Sequence, residues 1–77
     1  MVVKPLSELK PGQRGMISKV VGSGQTHRRI LDMGVVPHTG VEVERVAPLG
    51  DPIEVRIRGY HLSLRKEEAA NVYVEVD

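Results

Sequence analysis

The chain contains no cysteine, phenylalanine or tryptophan, and two tyrosines are its only residues of the Phe, Trp and Tyr group. Without cysteine, neither a disulfide framework nor a thiolate metal site can form, and nothing indicates an oxidising compartment. Two tyrosines are too few for a proline-rich peptide groove or for a surface on which nucleic acid bases stack. The functions that depend on those groups are therefore disfavoured.

Long apolar runs and an excess of charge of one sign are also missing. Eleven basic and ten acidic residues give a net charge of +1, which attracts a polyanion only weakly over a distance. No stretch approaches the ~18 apolar residues of a membrane span. Residues 1–10 contain charges and Pro5 where a signal peptide needs an apolar run. We expect a cytoplasmic protein with no nucleic acid partner and no direct membrane insertion.

The hydrophobic residues that are present are mostly β-branched, with thirteen valines and four isoleucines. Such side chains favour the pleated surface of a sheet. At 77 residues the chain has the length of one small domain, which we take to span 1–77 and which needs close packing. An aliphatic, mainly β core is expected.

Alternating apolar and polar residues predict five main strands, at 15–21, 41–46, 53–58, 60–65 and 72–76. Val2 and Val3 form a short edge strand before Pro5, and residues 6–9 have room for one helical turn. Arg45 interrupts the alternation and indicates a bulge. Gly59 tolerates positive φ and predicts a tight hairpin with Arg58. Beyond it, Tyr60, Leu62 and Leu64 are expected to continue the buried face.

Residues 22–40 are the only stretch with a helical period, and they predict one helix of about ten residues. Ser23 or Thr26 is expected to cap its start, and Thr26, Ile30 and Met33 share one stripe. Gly34 offers the left-handed residue that closes the helix, and Pro37 prevents its continuation. A further single helical turn is expected at 66–71.

Together these elements predict a small SH3-like barrel of about five strands. One helix follows the first main strand, and a single helical turn precedes the last strand. The main alternative is an OB-type barrel, whose helix usually lies between the third and fourth strands.

Three blocks of residues resemble the FeoA family, ferrous iron transport protein A, over nearly the whole chain. They are Leu6, Leu9, Gly12 and Gly15; Arg28 to Gly34 with Pro37; and Gly50 to Ile53 followed by Arg58 to Tyr60, Leu62, Leu64, Arg65, Glu68 and Ala69. His38 stands where many relatives have glycine. The resemblance implies an SH3-like barrel and a regulatory or adaptor partner of FeoB, a membrane transporter with a cytoplasmic G-protein domain. A similar domain ends the iron-dependent repressors of the diphtheria toxin repressor type.

The helix and the turn after it are the predicted partner-binding surface. A helix on a small barrel packs through one stripe, assigned to Ile30 and Leu31, and leaves its other residues partly outside. Apolar groups rimmed by charge are typical of a protein contact. The residues predicted to bind the partner are Arg28, Arg29, Met33, Val35 and Val36. The simpler interpretation of the arginines is a surface ion pair between Arg28 and Asp32.

The three histidines lack a spacing that would arrange a metal site, and ordinary surface histidines are the simpler interpretation. The iron context of the family implies weak binding of Fe²⁺ or another divalent transition metal, with His38, His61 and Glu42 as weak candidates. No cofactor is required. No nucleophile stands with a base, and residues 22–24 lack the Gly-Lys-Ser/Thr ending of a nucleotide-binding loop, so we expect no enzyme.

The sequence therefore favours a non-enzymatic adaptor or regulator of ferrous iron uptake, acting on the cytoplasmic part of a FeoB-type transporter. Two alternatives stay open. One is an iron-uptake regulator that binds divalent metal itself. The other is a small RNA-binding barrel with a basic patch of Arg56, Arg58, Arg65 and Lys66.

Overall fold

The computed structural model describes residues 2–76, which form one six-stranded antiparallel sheet with three short helical segments. The strands are β1 (Val2–Pro5), β2 (Arg14–Val20), β3 (Gly40–Val46), β4 (Ile53–Ile57), β5 (Tyr60–Leu64) and β6 (Val72–Val76). The helices are α1 (Gly24–Asp32) after β2, α2 (Lys66–Ala69) before β6, and a 3₁₀ turn (Leu6–Glu8) after β1. The sheet order β1-β6-β2-β3-β4-β5 and the helix after β2 confirm the predicted SH3-like fold, with the edge strand making six strands.

The core is aliphatic, as predicted. The inward faces of β4 (Ile53, Val55, Ile57) and β6 (Val72, Val74, Val76) are buried. In β3 the pairing with β4 shifts between Val43 and Arg45, which confirms the predicted bulge. None of the helices within residues 2–76 has the length and apolar character needed to cross a membrane.

Tyr60 is not a core residue, and the prediction that it continues the buried face of β5 is wrong. Its side chain is 40% exposed, whereas Leu64 is fully buried and Leu62 partly so. Tyr60 begins β5 directly after the hairpin, and its hydroxyl donates a hydrogen bond to the carbonyl of Met33 at the end of α1. The tyrosine therefore covers the helix end from outside.

The start of α1 differs from the prediction. Ser23 occupies the N-cap position, but its side chain makes no capping hydrogen bond, and Thr26 lies within the helix and is exposed. Ile30 is the only fully buried residue of the helix, flanked by the partly buried His27 and Leu31. The packed stripe is therefore narrower than the periodicity indicated.

The end of α1 follows the prediction closely. Gly34 has a φ of 94°, the left-handed conformation that closes a helix. Its N–H donates to the carbonyl of Leu31 at 3.0 Å, and the N–H of Val35 donates to that of Ile30 at 3.3 Å. This pair of hydrogen bonds is the Schellman motif, which brings Val35 against Ile30.

The β4–β5 hairpin has a two-residue turn in which both Arg58 (φ 51°) and Gly59 (φ 83°) are left-handed. Two left-handed residues define a type I′ turn, whose twist matches that of the flanking strands. The predicted hairpin is confirmed, and the positive φ of Arg58 is an additional feature of it.

Candidate partner-binding surfaces

The two arginines of α1 have different surroundings. Arg28 is exposed and forms no ion pair with any residue of the described part of the chain, so the alternative pair with Asp32 is not formed. Arg29 is 60% exposed, and its guanidinium bonds to the carboxylate of Glu68 in α2. Of the two arginines in α1, only Arg28 has a guanidinium that is not already bound to a carboxylate within residues 2–76.

Val35 cannot belong to an exposed patch, and its assignment to the partner-binding surface is wrong in this respect. It is 1% exposed, because the Schellman motif turns it inward against Ile30. Met33 packs partly against the core, while Val36 is partly exposed and Pro37 exposed. The helix surface that remains, here called the helix patch, consists of Arg28, Met33, Val36 and Pro37.

Glu68 is a buried charge that is absent from the sequence-based predictions. It is 3% exposed, and its carboxylate accepts hydrogen bonds from the N–H of Arg65 at 2.9 Å and from the guanidinium of Arg29. Burial raises the pKa of Glu68, but these hydrogen bonds and the charge of Arg29 outweigh it and hold the pKa below its ordinary value. The carboxylate thus joins α1 to α2.

A signal for this contact does exist in the sequence. Glu68 stands three residues after Arg65, the spacing at which a glutamate at the third helical position reaches back to the N-cap backbone. The sequence pattern predicts only a single helical turn at residues 66–71. Because Ala69 beside it is also buried, the short helix brings one acidic side chain inward with it.

A second basic surface lies on the outer face of β2, β3 and β4. A groove of about 410 Å³ is lined there by residues that include Arg14, Gly40, Glu42, Arg56 and Arg58. Glu42 lies opposite Arg14 in the register of β2 and β3. It also lies opposite Arg56 in the register of β3 and β4. The Arg56 guanidinium donates to the Glu42 carboxylate at 3.1 Å. We call this set of residues the arginine groove.

The basic patch predicted for RNA binding is divided by the fold. Arg56 and Arg58 lie in the arginine groove, where Arg14 joins them. Arg65 and Lys66 instead line a separate pocket of about 840 Å³, in which the backbone N–H of Lys66 donates to the carboxylate of Asp51 at 3.0 Å. The four residues therefore do not form one continuous patch.

The predicted metal candidates are not gathered into one site. Glu42 is bound to Arg56, and His61 Nδ1 lies 2.6 Å from the Glu44 carboxylate. His38 lies in the turn before β3 with a φ of 68°. Within residues 2–76 no group of three or more histidine, aspartate or glutamate side chains is close enough to hold a metal ion.

The fold and its surfaces define a small SH3-like domain with an aliphatic core and exposed basic residues on two faces. The protein-family model of the FeoA domain matches residues 4–76 of the sequence. The chain belongs to the FeoA family.

The relatives agree with this assignment. The chain is 45% identical over 71 residues to an Fe(2+) transport protein A/Fe(2+) transporter FeoB fusion protein of Porphyromonas gingivalis, covering 92% of this chain and 8% of that protein. The chain therefore spans only a small part of that relative. A FeoA-like protein of Clostridium acetobutylicum has 41% identity and a TM-score of 0.89, covering 99% of this chain and 88% of that one.

Two more distant structures share the fold. FeoA of Stenotrophomonas maltophilia, solved in complex with zinc, is 25% identical with a TM-score of 0.80, covering 97% of this chain and 91% of that one. IdeR of T. acidophilum is 20% identical with a TM-score of 0.87, covering all of this chain and 35% of that one. The likeness to IdeR shows the fold alone and agrees with the resemblance to the repressor domains.

Proposed function

We propose that this chain is an accessory protein of ferrous iron transport that docks on the cytoplasmic part of a FeoB-type transporter. The observation that carries the proposal is the fusion protein, in which a segment 45% identical to this chain is joined to FeoB. Covalent linkage keeps two modules at a high effective concentration, which favours contact between them. A separate chain of the same family needs a docking surface to achieve the same association.

The helix patch supplies one such surface. Arg28 is exposed on α1 and forms no ion pair within residues 2–76, and Met33, Val36 and Pro37 at the end of the helix keep apolar groups at least partly exposed. Arginine and methionine are enriched in protein interfaces, and partly exposed apolar groups supply the buried part of such a contact. The helix patch therefore fits a protein partner that carries acidic groups around an apolar pocket.

The test is Arg28→Glu, measured by co-purification with the transporter and by iron uptake in cells that lack the native protein. We expect both to fall strongly while the melting temperature is unchanged. Arg29 stays intact, because its replacement would break the bond to Glu68 and confuse docking with folding. The matched control is Arg45→Glu, since Arg45 is also exposed but lies on β3.

Full binding and full iron uptake by the folded Arg28→Glu protein would contradict the proposal that the helix patch docks on the transporter. Loss of binding in both variants would show that net charge, and not the helix patch, determines association. If the wild-type chain does not co-purify with the transporter at all, the proposed docking is wrong.

Metal sensing is a second candidate function, supported by the zinc complex of the Stenotrophomonas maltophilia relative. In this chain we propose His61 and Glu44 as the groups that would take part, since Nδ1 and the carboxylate oxygen lie 2.6 Å apart. Anaerobic calorimetry with Fe²⁺, and with Zn²⁺ in parallel, tests it. Specific binding that His61→Ala abolishes and His27→Ala retains would support this candidate. No measurable heat with either metal would exclude it.

A further inference from the structure

The arginine groove has two rows of outward-facing positions. The first row is Arg14, Glu42 and Arg56, which are cross-strand partners. In the second row, Met16 pairs with Gly40. Val41 pairs with Ile57, the last residue of β4, and Arg58 follows it in the turn and lines the same groove as Gly40. Gly40, which has no side chain, therefore lies opposite Met16 of β2 at the edge of the groove that Arg58 also lines.

No packing requirement explains a glycine at residue 40. A Cβ added there would have the carbonyl oxygen of Gly15 as its nearest neighbour at 3.9 Å, an ordinary contact, and its φ is not in the left-handed region. Gly15 differs, because a Cβ there would collide with the carbonyl of Glu75. Glycine weakens a strand, and it often marks a place where a ligand or another backbone comes close. At Gly40 its effect is to keep the floor of the groove open.

The charges of the groove select an anion. Three arginines and one glutamate give it a local net charge of +2, although the whole chain carries only +1. The Glu42 carboxylate forms an ion pair with Arg56. Arg14 and Arg58 form no ion pair with a residue in 2–76. Guanidinium groups bind carboxylates through two parallel hydrogen bonds. Two arginines are thus available at opposite sides of the opening.

From this arrangement we infer that the arginine groove docks an extended acidic segment of the transporter's cytoplasmic part. This inference rests on the proposed function and adds a second contact to the helix patch. Carboxylates of the segment bind Arg14 and Arg58, its backbone passes over Gly40, and an apolar side chain contacts Met16, which is 46% exposed. Methionine and arginine at one surface are typical of protein interfaces.

The same residues disfavour a nucleic acid as the occupant. The groove has no aromatic lining residue on which a base could stack. Glu42 lies between Arg14 and Arg56, where it repels a phosphate backbone that follows the row. An acidic protein segment can place its carboxylates at the arginines and uncharged residues opposite Glu42.

The experiment is an NMR titration of the full, ¹⁵N-labelled chain with the purified cytoplasmic part of the transporter. Amide shifts are expected at Arg14, Met16, Gly40 and Arg58, and binding should weaken as salt increases. Arg14→Gln with Arg58→Asn should weaken binding about tenfold or more. Asparagine suits the left-handed turn position of Arg58, so the hairpin is kept.

Two further variants separate the groove from general charge. Gly40→Ala adds a methyl group to the floor without removing a charge, and we expect it to weaken binding with little change in melting temperature, because the added Cβ has space. Arg45→Gln is the charge control, since Arg45 is exposed on β3 and does not line the groove, and it should bind normally.

Amide shifts confined to the helix patch, together with normal binding by the groove variants, would contradict docking at the arginine groove. The proposed function would not be affected by this result. No binding by the wild-type chain would overturn the proposed function together with its occupant. Hexaglutamate, inorganic pyrophosphate and a short single-stranded RNA serve as separate probes. Saturation of the groove by pyrophosphate or RNA at lower concentration than by hexaglutamate would overturn the class of partner.

Discussion

At the scale of single residues, Gly34 meets two requirements together. Its φ of 94° suits glycine, and an added Cβ would lie 2.5 Å from the hydroxyl of Tyr60. That hydroxyl also bonds to the carbonyl of Met33. The left-handed conformation could be predicted from the helix pattern. The steric requirement could not, because it depends on a tyrosine from a strand far along the chain.

We predict that Gly34→Ala destabilises the domain by more than the roughly 1 to 2 kcal/mol of the left-handed backbone alone. The clash with Tyr60 adds to that cost, and Gly34→Val should cost more again. Chemical unfolding of Gly34→Ala, Tyr60→Phe and the double variant measures it. In the Tyr60→Phe protein the cost of Gly34→Ala should fall, because the nearest ring atom then lies 3.7 Å away. Equal costs in both proteins would contradict the steric part.

His38 is a non-glycine residue in the left-handed region, with a φ of 68°. A side chain there strains the backbone, and glycine relieves the strain while making the unfolded chain more flexible. We predict that His38→Gly stabilises the domain by about 0.5 kcal/mol, measured by urea unfolding. His38→Ala is the control and should not stabilise. A loss of stability in His38→Gly would show that the imidazole makes a contact worth more than the strain.

At the scale of elements, alternation of apolar and polar residues was enough to locate all five main strands to within a residue at each end. The arginine groove could not be predicted, because Arg14, Glu42 and Arg56 meet only through the register of three strands. The assignment of Val35 to the exposed surface was wrong for a related reason. The helical period does not indicate on which side of the helix the chain continues after the closing glycine.

The contact between α1 and α2 gives a prediction about pH. Because the folded state lowers the pKa of Glu68, its stabilising effect is fully present above the ordinary value of about 4.3 and is lost as the pH falls through the folded value. Glu68→Gln should cost roughly 1 to 3 kcal/mol at pH 7, since a charge-assisted bond is removed. Urea unfolding from pH 7 to pH 3 should show a smaller acid loss in this variant.

Arg29→Gln is the matched comparison for Glu68→Gln. Arg29 is 60% exposed, and its removal leaves Glu68 still bound to the N–H of Arg65. The expected cost is therefore smaller, about 1 kcal/mol or less. If Arg29→Gln costs more than Glu68→Gln, the ion pair and not the backbone hydrogen bond is the main stabilising contact of Glu68.

At the scale of the whole molecule, stability depends on aliphatic burial. The buried core consists of leucine, isoleucine, valine and alanine, and the described residues contain no cluster of three metal-binding side chains. We predict that a chelator leaves the circular dichroism spectrum and melting temperature unchanged. Protein dialysed against chelator and then reloaded with Fe²⁺ or Zn²⁺ completes the measurement. A large fall on chelation that metal reverses would indicate a structural ion.

The position of β6 affects how the protein folds during synthesis. This last strand lies between β1 and β2, and its three valines are buried. Until β6 leaves the ribosome, the valines and isoleucines of the earlier strands lack the strand that joins the two sides of the sheet. Pairings between strands distant in sequence form slowly, and unpaired edges favour aggregation. The nascent chain therefore stays exposed to chaperones and proteases until its final strand is made, and a truncation before β6 would leave it unfolded.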